Sequence, residues 1–230
     1  MVYRWLKTGL DWLLPPVCRL CGDEGQPGRE LCAGCERDLP WNRTCCARCA
    51  EPLPAARRGL LCGRCLRRPP VFDQALTPLR FEPPVSNLVH AFKFRGDLAA
   101  GRLLADLLAD AAAERRPALL LPVPLHDRRL RSRGFNQALE RARRLGRRLD
   151  IPVNTRILRR CRDTPPQHEM PARARRANVR GAFEMLEELP TPHVALVDDV
   201  LTTGNTAAEL ARLLKRAGAA RVEVWAVARA

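Results

Sequence analysis

From position 71 onward, apolar residues alternate between short unbroken runs and longer stretches with helical spacing. ALLLPV (118–123) and VALV (194–197) are unbroken and VEVWAVA (222–228) nearly so, as expected of strands buried on both faces. Leu98 to Ala113, Asn136 to Leu149 and Thr206 to Arg216 carry apolar residues three and four apart and read as helices. Phe72 to Phe81 has β character, Pro83 to Phe92 opens a helix with Leu88, Val89 and Phe92 on one face, and Val153 to Leu158 reads as a further strand. Such alternation predicts an α/β fold, a mostly parallel sheet flanked by helices, in which ligands collect beyond the carboxyl ends of the strands.

Before position 71 this periodicity is missing and cysteine organises the chain. Nine of the ten cysteines lie between Cys18 and Cys65. Eight form four C-x2-C pairs: Cys18 and Cys21, Cys32 and Cys35, Cys46 and Cys49, Cys62 and Cys65. Each pair offers two sulfurs from one tight loop, so four pairs predict two closed, structural Zn(Cys)4 sites. A disulfide framework would call for an oxidising compartment, for which the chain carries no signal. Sequential pairing (18/21/32/35 and 46/49/62/65) suits the short intervening loops, and spacing also admits a cross-braced pairing (18/21/46/49 and 32/35/62/65). Cys45 is a spare thiol. A zinc-ribbon domain with an N-terminal helix is thus expected over 1–70, and the α/β domain over 71–230.

The first residues, MVYRWLKTGLDWLLPP, have Lys7 and Asp11 within the apolar stretch and no small-residue cleavage site after it, so they read as a mature N-terminus. No run approaches the ~18 apolar residues of a membrane span, and a soluble protein is expected. Net charge is +15, concentrated in residues 126–180, where 17 arginines face 5 acids. That density attracts phosphates, on a small polyanion or a nucleic acid backbone. Arginine is abundant throughout and only three lysines occur, so part of the excess reflects general composition. Phe135 is the sole aromatic of the segment, which makes any DNA contact electrostatic rather than stacking.

The candidate chemistry lies in VALVDDVLTTGNTAAEL (194–210). Here an apolar strand ends in Asp198 and Asp199, then Thr202, Thr203, Gly204, Asn205 and Thr206 lead into a helix. A Gly/Thr turn before a helix offers backbone N–H groups and hydroxyls to one phosphate, favoured by the helix dipole. It has neither the lysine of a P-loop nor the three glycines of a dinucleotide fold. With two carboxylates to accept from vicinal hydroxyls, it suits a sugar phosphate. The alternatives are a receiver-type acidic pocket, ill placed so late in the chain, and plain helix capping, worth about 1 kcal/mol.

VALVDDVLTTGNTA resembles the phosphoribosyl pyrophosphate (PRPP) motif of type I phosphoribosyltransferases. The chain from Cys18 onward resembles the ComF family of competence and DNA-uptake proteins: four knuckles, HAFKFRGD (90–97), PVPLHDRRLRSRGFNQ (122–137), RDTPPQ (162–167), RRANVRGAF (175–183) and the acidic signature follow in order. The second domain is also similar to the transferase half of amidophosphoribosyltransferase, without that enzyme's catalytic cysteine or glutaminase domain. The resemblance implies that Asp198 and Asp199 hold the ribose hydroxyls and stabilise charge at C1, and that Thr202 to Thr206 hold the 5-phosphate. It further implies that Val123 and Pro124 form the pyrophosphate loop, where a strained or cis peptide is expected, and that Mg2+ arrives with PRPP. Arg133, Asn136 and Gln137 would line the site, and Arg162, Thr164, Gln167, Arg175 and Asn178 would form a closing loop. Lys93 is either an anion contact or a solvated helix-end lysine. Implied partners are single-stranded DNA and DNA-uptake helicase or channel proteins, in the cytoplasm. A phosphoribosyltransferase, a PRPP or nucleotide sensor and a DNA-handling factor all remain open.

Overall fold

A computed structural model describes residues 15–54, 59–163 and 179–230. The expected N-terminal helix, together with Thr164, Gln167, Arg175 and Asn178 of the expected closing loop, lies outside these residues. The side chain of Arg133 does too.

The ribbons carry two short helices, α1 (Ala33–Arg37) and α2 (Gly63–Arg67). After them come β1 (Gln74–Leu76), β2 (Leu79–Arg80), α3 (Val85–Arg95), α4 (Leu98–Ala111), β3 (Leu119–Pro122), α5 (Asp127–Arg133) and α6 (Gln137–Leu149). The chain ends with β4 (Leu158–Arg160), β5 (Phe183–Met185), β6 (His193–Leu201), α7 (Asn205–Arg216) and β7 (Arg221–Arg229).

Five strands form a wholly parallel sheet in the order β1, β7, β6, β3, with β2 continuing the β1 edge along β7. Its strands alternate between two cores, because successive side chains point to opposite faces. Leu119, Leu121, Val194, Leu196, Val222 and Val224 pack on one face with Leu210 and Leu214 of α7. Leu120, Ala195, Val197, Trp225 and Val227 pack on the other with α3, α4 and α6. The continuous apolar runs of the sequence are this double burial.

Three expectations change in detail. Phe72 to Phe81 is two short strands on one edge, separated at Thr77 and Pro78. Val153 to Leu158 is not continuous: Val153 makes a single parallel bridge to Leu120, and Asn154 Oδ1 then accepts from the amides of Arg156 (2.7 Å) and Ile157 (3.0 Å). That side-chain turn replaces strand bonds, so the chain departs into an antiparallel hairpin, β4 with β5. Finally, β6 runs past Val197 to Leu201, because β7 offers a partner as far as Arg229.

The ribbons are fused to this unit. Cys18, Leu31 and Leu39 of the first belong to the α3/α4 core, whereas Cys46, Cys49, Cys62 and Cys65 of the second belong to the α7 core.

Candidate functional site

Asp198 and Asp199, the sixth and seventh of nine residues, sit within β6 rather than beyond it. Asp198 Oδ1 accepts from the Asp199 amide and Asp199 Oδ1 from the Val200 amide, both at 2.8 Å. Burial and the neighbouring Asp199 charge push the Asp198 carboxyl up to about 7. Burial acts on Asp199 in the same sense but is overcome by Lys93 and Arg141, and its carboxyl is held below the usual range. The environment thus pushes the two carboxyls apart, Asp199 ionising well before Asp198.

Lys93 lies in the last turn of α3, with Nζ 3.6 Å from Asp199 Oδ2. Helix α3 continues to Arg95 where sequence periodicity ended at Phe92, and this extra turn carries the lysine to the acid. Two further arginines act on the pair and were not singled out from sequence. Arg141 of α6 is 1% exposed, sits 5.2 Å over the Phe92 ring and, among the described residues, has no hydrogen-bond partner at any of its three nitrogens. Arg160 of β4 lies over the Phe183 ring at 5.3 Å, within electrostatic range of Asp198.

Gly204, with φ of 73°, turns the chain into α7 and gives the helix no side-chain cap. The N-terminus of a 12-residue helix, with its positive dipole end, thus adjoins the turn of Thr202, Thr203, Asn205 and Thr206, where an anion would be favoured. Thr203 Oγ1 is buried without a hydrogen-bond partner among the described residues. Thr203 O accepts from Arg64 Nη2 of α2 at 2.9 Å, and a cavity of about 430 Å3 lies between the turn and the second ribbon.

Val123 follows β3, its amide bonded to Val197 O at 2.9 Å, so the 122–124 turn lies beside the acids' strand. The cis peptide among the described residues is Pro83–Pro84, before α3, and not in this turn. Asn136 caps α6 through Oδ1 while its Nδ2 donates to Val123 O at 3.2 Å, tying cap and turn together. Gln137 is 3% exposed with Nε2 unpartnered. Arg162 donates to Arg180 O at 3.2 Å. The basic segment is partly internal: Arg144 grips Asp106 with two bonds of 2.6 and 2.7 Å, and Arg148 bridges Asp106 and Asp110.

The eight knuckle cysteines form two clusters, Cys18/21/32/35 and Cys46/49/62/65, with all sulfurs of a set within 4.8 Å of one another. This is the sequential pairing. Sulfurs tetrahedral about zinc at ~2.3 Å stand ~3.8 Å apart; Cys21 to Cys32 is 3.7 Å and Cys49 to Cys62 is 3.6 Å, so both sets fit the ion. Cys32 and Cys62 also cap α1 and α2, accepting from the Cys35 and Cys65 amides. Burial opposes ionisation of Cys18 and Cys46, but backbone N–H donors outweigh it and bring them to about 6 and about 7. Cys45 stands apart, its thiol pushed up by burial.

Residues 9–66 match the Double zinc ribbon domain and 136–230 the Phosphoribosyl transferase domain. The DNA utilization protein YhgH of Escherichia coli (strain K12) is 40% identical over 230 residues, covering 96% of this chain and 97% of its own. Competence protein F of Haemophilus influenzae is 35% identical over 210 residues, covering 87% of this chain and 90% of its own. A purine phosphoribosyltransferase structure from Pyrococcus horikoshii Ot3 overlaps 56% of this chain and 73% of its own at 20% identity, with a TM-score of 0.37.

Proposed function

This chain belongs to the ComF family, competence-related proteins in which a double zinc ribbon precedes a phosphoribosyltransferase-fold domain, and from that premise we propose that it binds PRPP. The observation that carries the reading is the end of β6: two adjacent carboxylates, Lys93 at 3.6 Å from one of them, and a helix N-terminus that, among the described residues, has no side-chain cap and adjoins a threonine hydroxyl with no hydrogen bond. Thr202 to Thr206 take the 5-phosphate, Asp198 and Asp199 the ribose hydroxyls, and the Val123–Pro124 turn with Lys93 the pyrophosphate.

One oxygen of each carboxylate already accepts a backbone amide, and Asp199 Oδ2 faces Lys93. The donor set therefore fits Mg2+ carried by ligand oxygens and waters rather than a cage of protein carboxylates. When bound, the ion neutralises pyrophosphate charge. In a transfer, the C1–O bond to pyrophosphate breaks as a nucleophile bonds to C1, and the acids stabilise the positive charge developing there.

Two relatives are named for DNA utilization and for competence, and we propose handling of single-stranded DNA in the cytoplasm as the setting of this chemistry. Arginines not committed to Asp106 and Asp110 supply the electrostatics. Binding of an oligonucleotide should weaken steeply between about 50 and 200 mM salt, and salt-independent affinity would remove the DNA reading alone.

Calorimetry with PRPP and Mg2+ on the zinc-loaded chain tests the central claim. We expect micromolar-range binding lost in Asp198→Asn/Asp199→Asn, and no binding by the native chain would refute it. Pyrophosphate release on adding candidate nucleophiles, or its absence, then separates a transferase from a PRPP sensor.

A further inference from the structure

We infer that Arg64, carried by the second ribbon, is a positioning residue of the phosphate turn, so that the Cys46/49/62/65 cluster governs affinity for the ribose-phosphate end of the ligand. The inference rests on the proposed PRPP site and concerns how that site is held.

Arg64 lies inside the knuckle Cys62-x2-Cys65, on α2. The knuckle is wound tightly: Cys62 Sγ accepts from the Cys65 amide at 3.4 Å, and Cys46 Sγ from the Cys62 amide at 3.3 Å. From this base the guanidinium donates through Nη2 to Thr203 O at 2.9 Å, across 139 positions of sequence. In a planar trans peptide the carbonyl and the following N–H point in opposite directions. Drawing Thr203 O toward the ribbon therefore turns the Gly204 N–H away from it, into the turn where a phosphate would sit. Gly204, at φ 73°, has the freedom to let this peptide rotate, so the turn needs an external hold.

A cavity of about 430 Å3 lies beside this contact, lined by Arg64, Phe72, Thr202 and Asn205 among others. Phe72 and Leu201 pack beside Gly204, and to that packing Arg64 adds a directional, charge-assisted bond that fixes the orientation of the peptide. Without metal, four crowded thiols no longer fix α2, and Arg64 loses its base. The second zinc thus becomes part of the ligand site without touching ligand. Cys18, Cys21, Cys32 and Cys35 have no such link, since their ribbon packs on the opposite core.

The experiment is calorimetry on the full zinc-loaded chain with two probes, ribose 5-phosphate and Mg2+-pyrophosphate, alongside zinc content and thermal melting. Arg64→Ala should keep both zinc ions and the native melting temperature, weaken ribose 5-phosphate about tenfold, and leave pyrophosphate within about twofold. Cys65→Ser, which disables the second site, should reproduce that selective loss, and adding Arg64→Ala to it should weaken binding no further. Native ribose 5-phosphate affinity in Arg64→Ala, or equal loss of both probes, overturns the inference while PRPP binding stands. Native affinity in a folded, zinc-deficient Cys65→Ser chain overturns the metal coupling. Failure of the native chain to bind either probe removes the site itself, a result distinct from the others.

Discussion

Arg141 is the residue whose position most needs explaining. A guanidinium that is 1% exposed, with no hydrogen bond to any of its three nitrogens among the described residues, is costly by itself. Its burial lowers its own proton affinity, and only the two acids of β6 act in the opposite sense. It is therefore best understood as the second counter-charge, after Lys93, that keeps Asp199 ionised. Replacing it by methionine should not lower the melting temperature, because the unpaired charge disappears with the support. The acid limb of PRPP binding should move upward by about one pH unit, and binding titrations from pH 5 to 8 would show it; an unmoved limb rejects the role. Asp198 gives the complementary case. Its folded proton affinity, at about 7, exceeds its ordinary value of 3.8, so the native fold loses stability as pH rises through that interval. Asp198→Asn lacks the loss and should melt above the native protein at pH 8 by more than at pH 5, while binding PRPP at least about tenfold more weakly. Melting curves at the two pH values, read beside calorimetry, check both halves. The acids themselves are legible in VALVDDVLTTGNT, since composition and order mark them. Arg141 is legible only by periodicity: it shares the buried stripe of Ala138, Ala142 and Leu145, where an arginine stands out. Arg64 gives no such sign, because a contact 139 residues distant leaves nothing local to read.

Helices and strands were legible where one apolar period persists, and obscured where side chains compete with the ladder. Asn154 is the clearest instance: its carboxamide takes two amides that a strand would have used, so an apolar run became a bridge and a hairpin. At β6 the apolar run ends at Val197 and the strand does not, because pairing is set by β7 and not by hydrophobicity. Helix packing adds a constraint that no pattern reveals. A methyl group at Gly101 of α4 would stand 2.5 Å from Phe92 Cε2, and that ring lies between Phe135 and Arg141. Gly101→Ala should gain helix propensity yet lose about 1–3 kcal/mol by overpacking, with the displaced ring disturbing the Arg141 stack. Denaturant unfolding decides the sign, and a stabilised variant would mean that Phe92 moves freely.

At the scale of the molecule, the composition break near residue 70 marks a change of structural rule but not a free boundary. Each ribbon belongs to a different core of the same sheet, the first beside α3 and α4 and the second beside α7. The ribbon segment also closes the β1/β2 edge: Trp41 bridges Leu79, Arg80 N donates to Pro40 O at 2.8 Å, Asn42 N to Pro78 O at 2.7 Å, and Ala75 N to Arg48 O at 2.8 Å. A fragment of 71–230 would bare that edge and open both cores, the exposure that promotes edge-to-edge association. We therefore propose that the two sequence-defined units fold as one. The fragment should lack a cooperative melting transition or aggregate on expression, and stripping zinc from the full chain with a strong chelator should depress the melting of the α/β sheet as well as of the ribbons. Far-ultraviolet dichroism would follow the sheet and helices, and a thiol reagent the cysteines. Coincident transitions on heating are expected, whereas thiol exposure that runs ahead of any loss of secondary structure would show that the ribbons melt separately from the sheet.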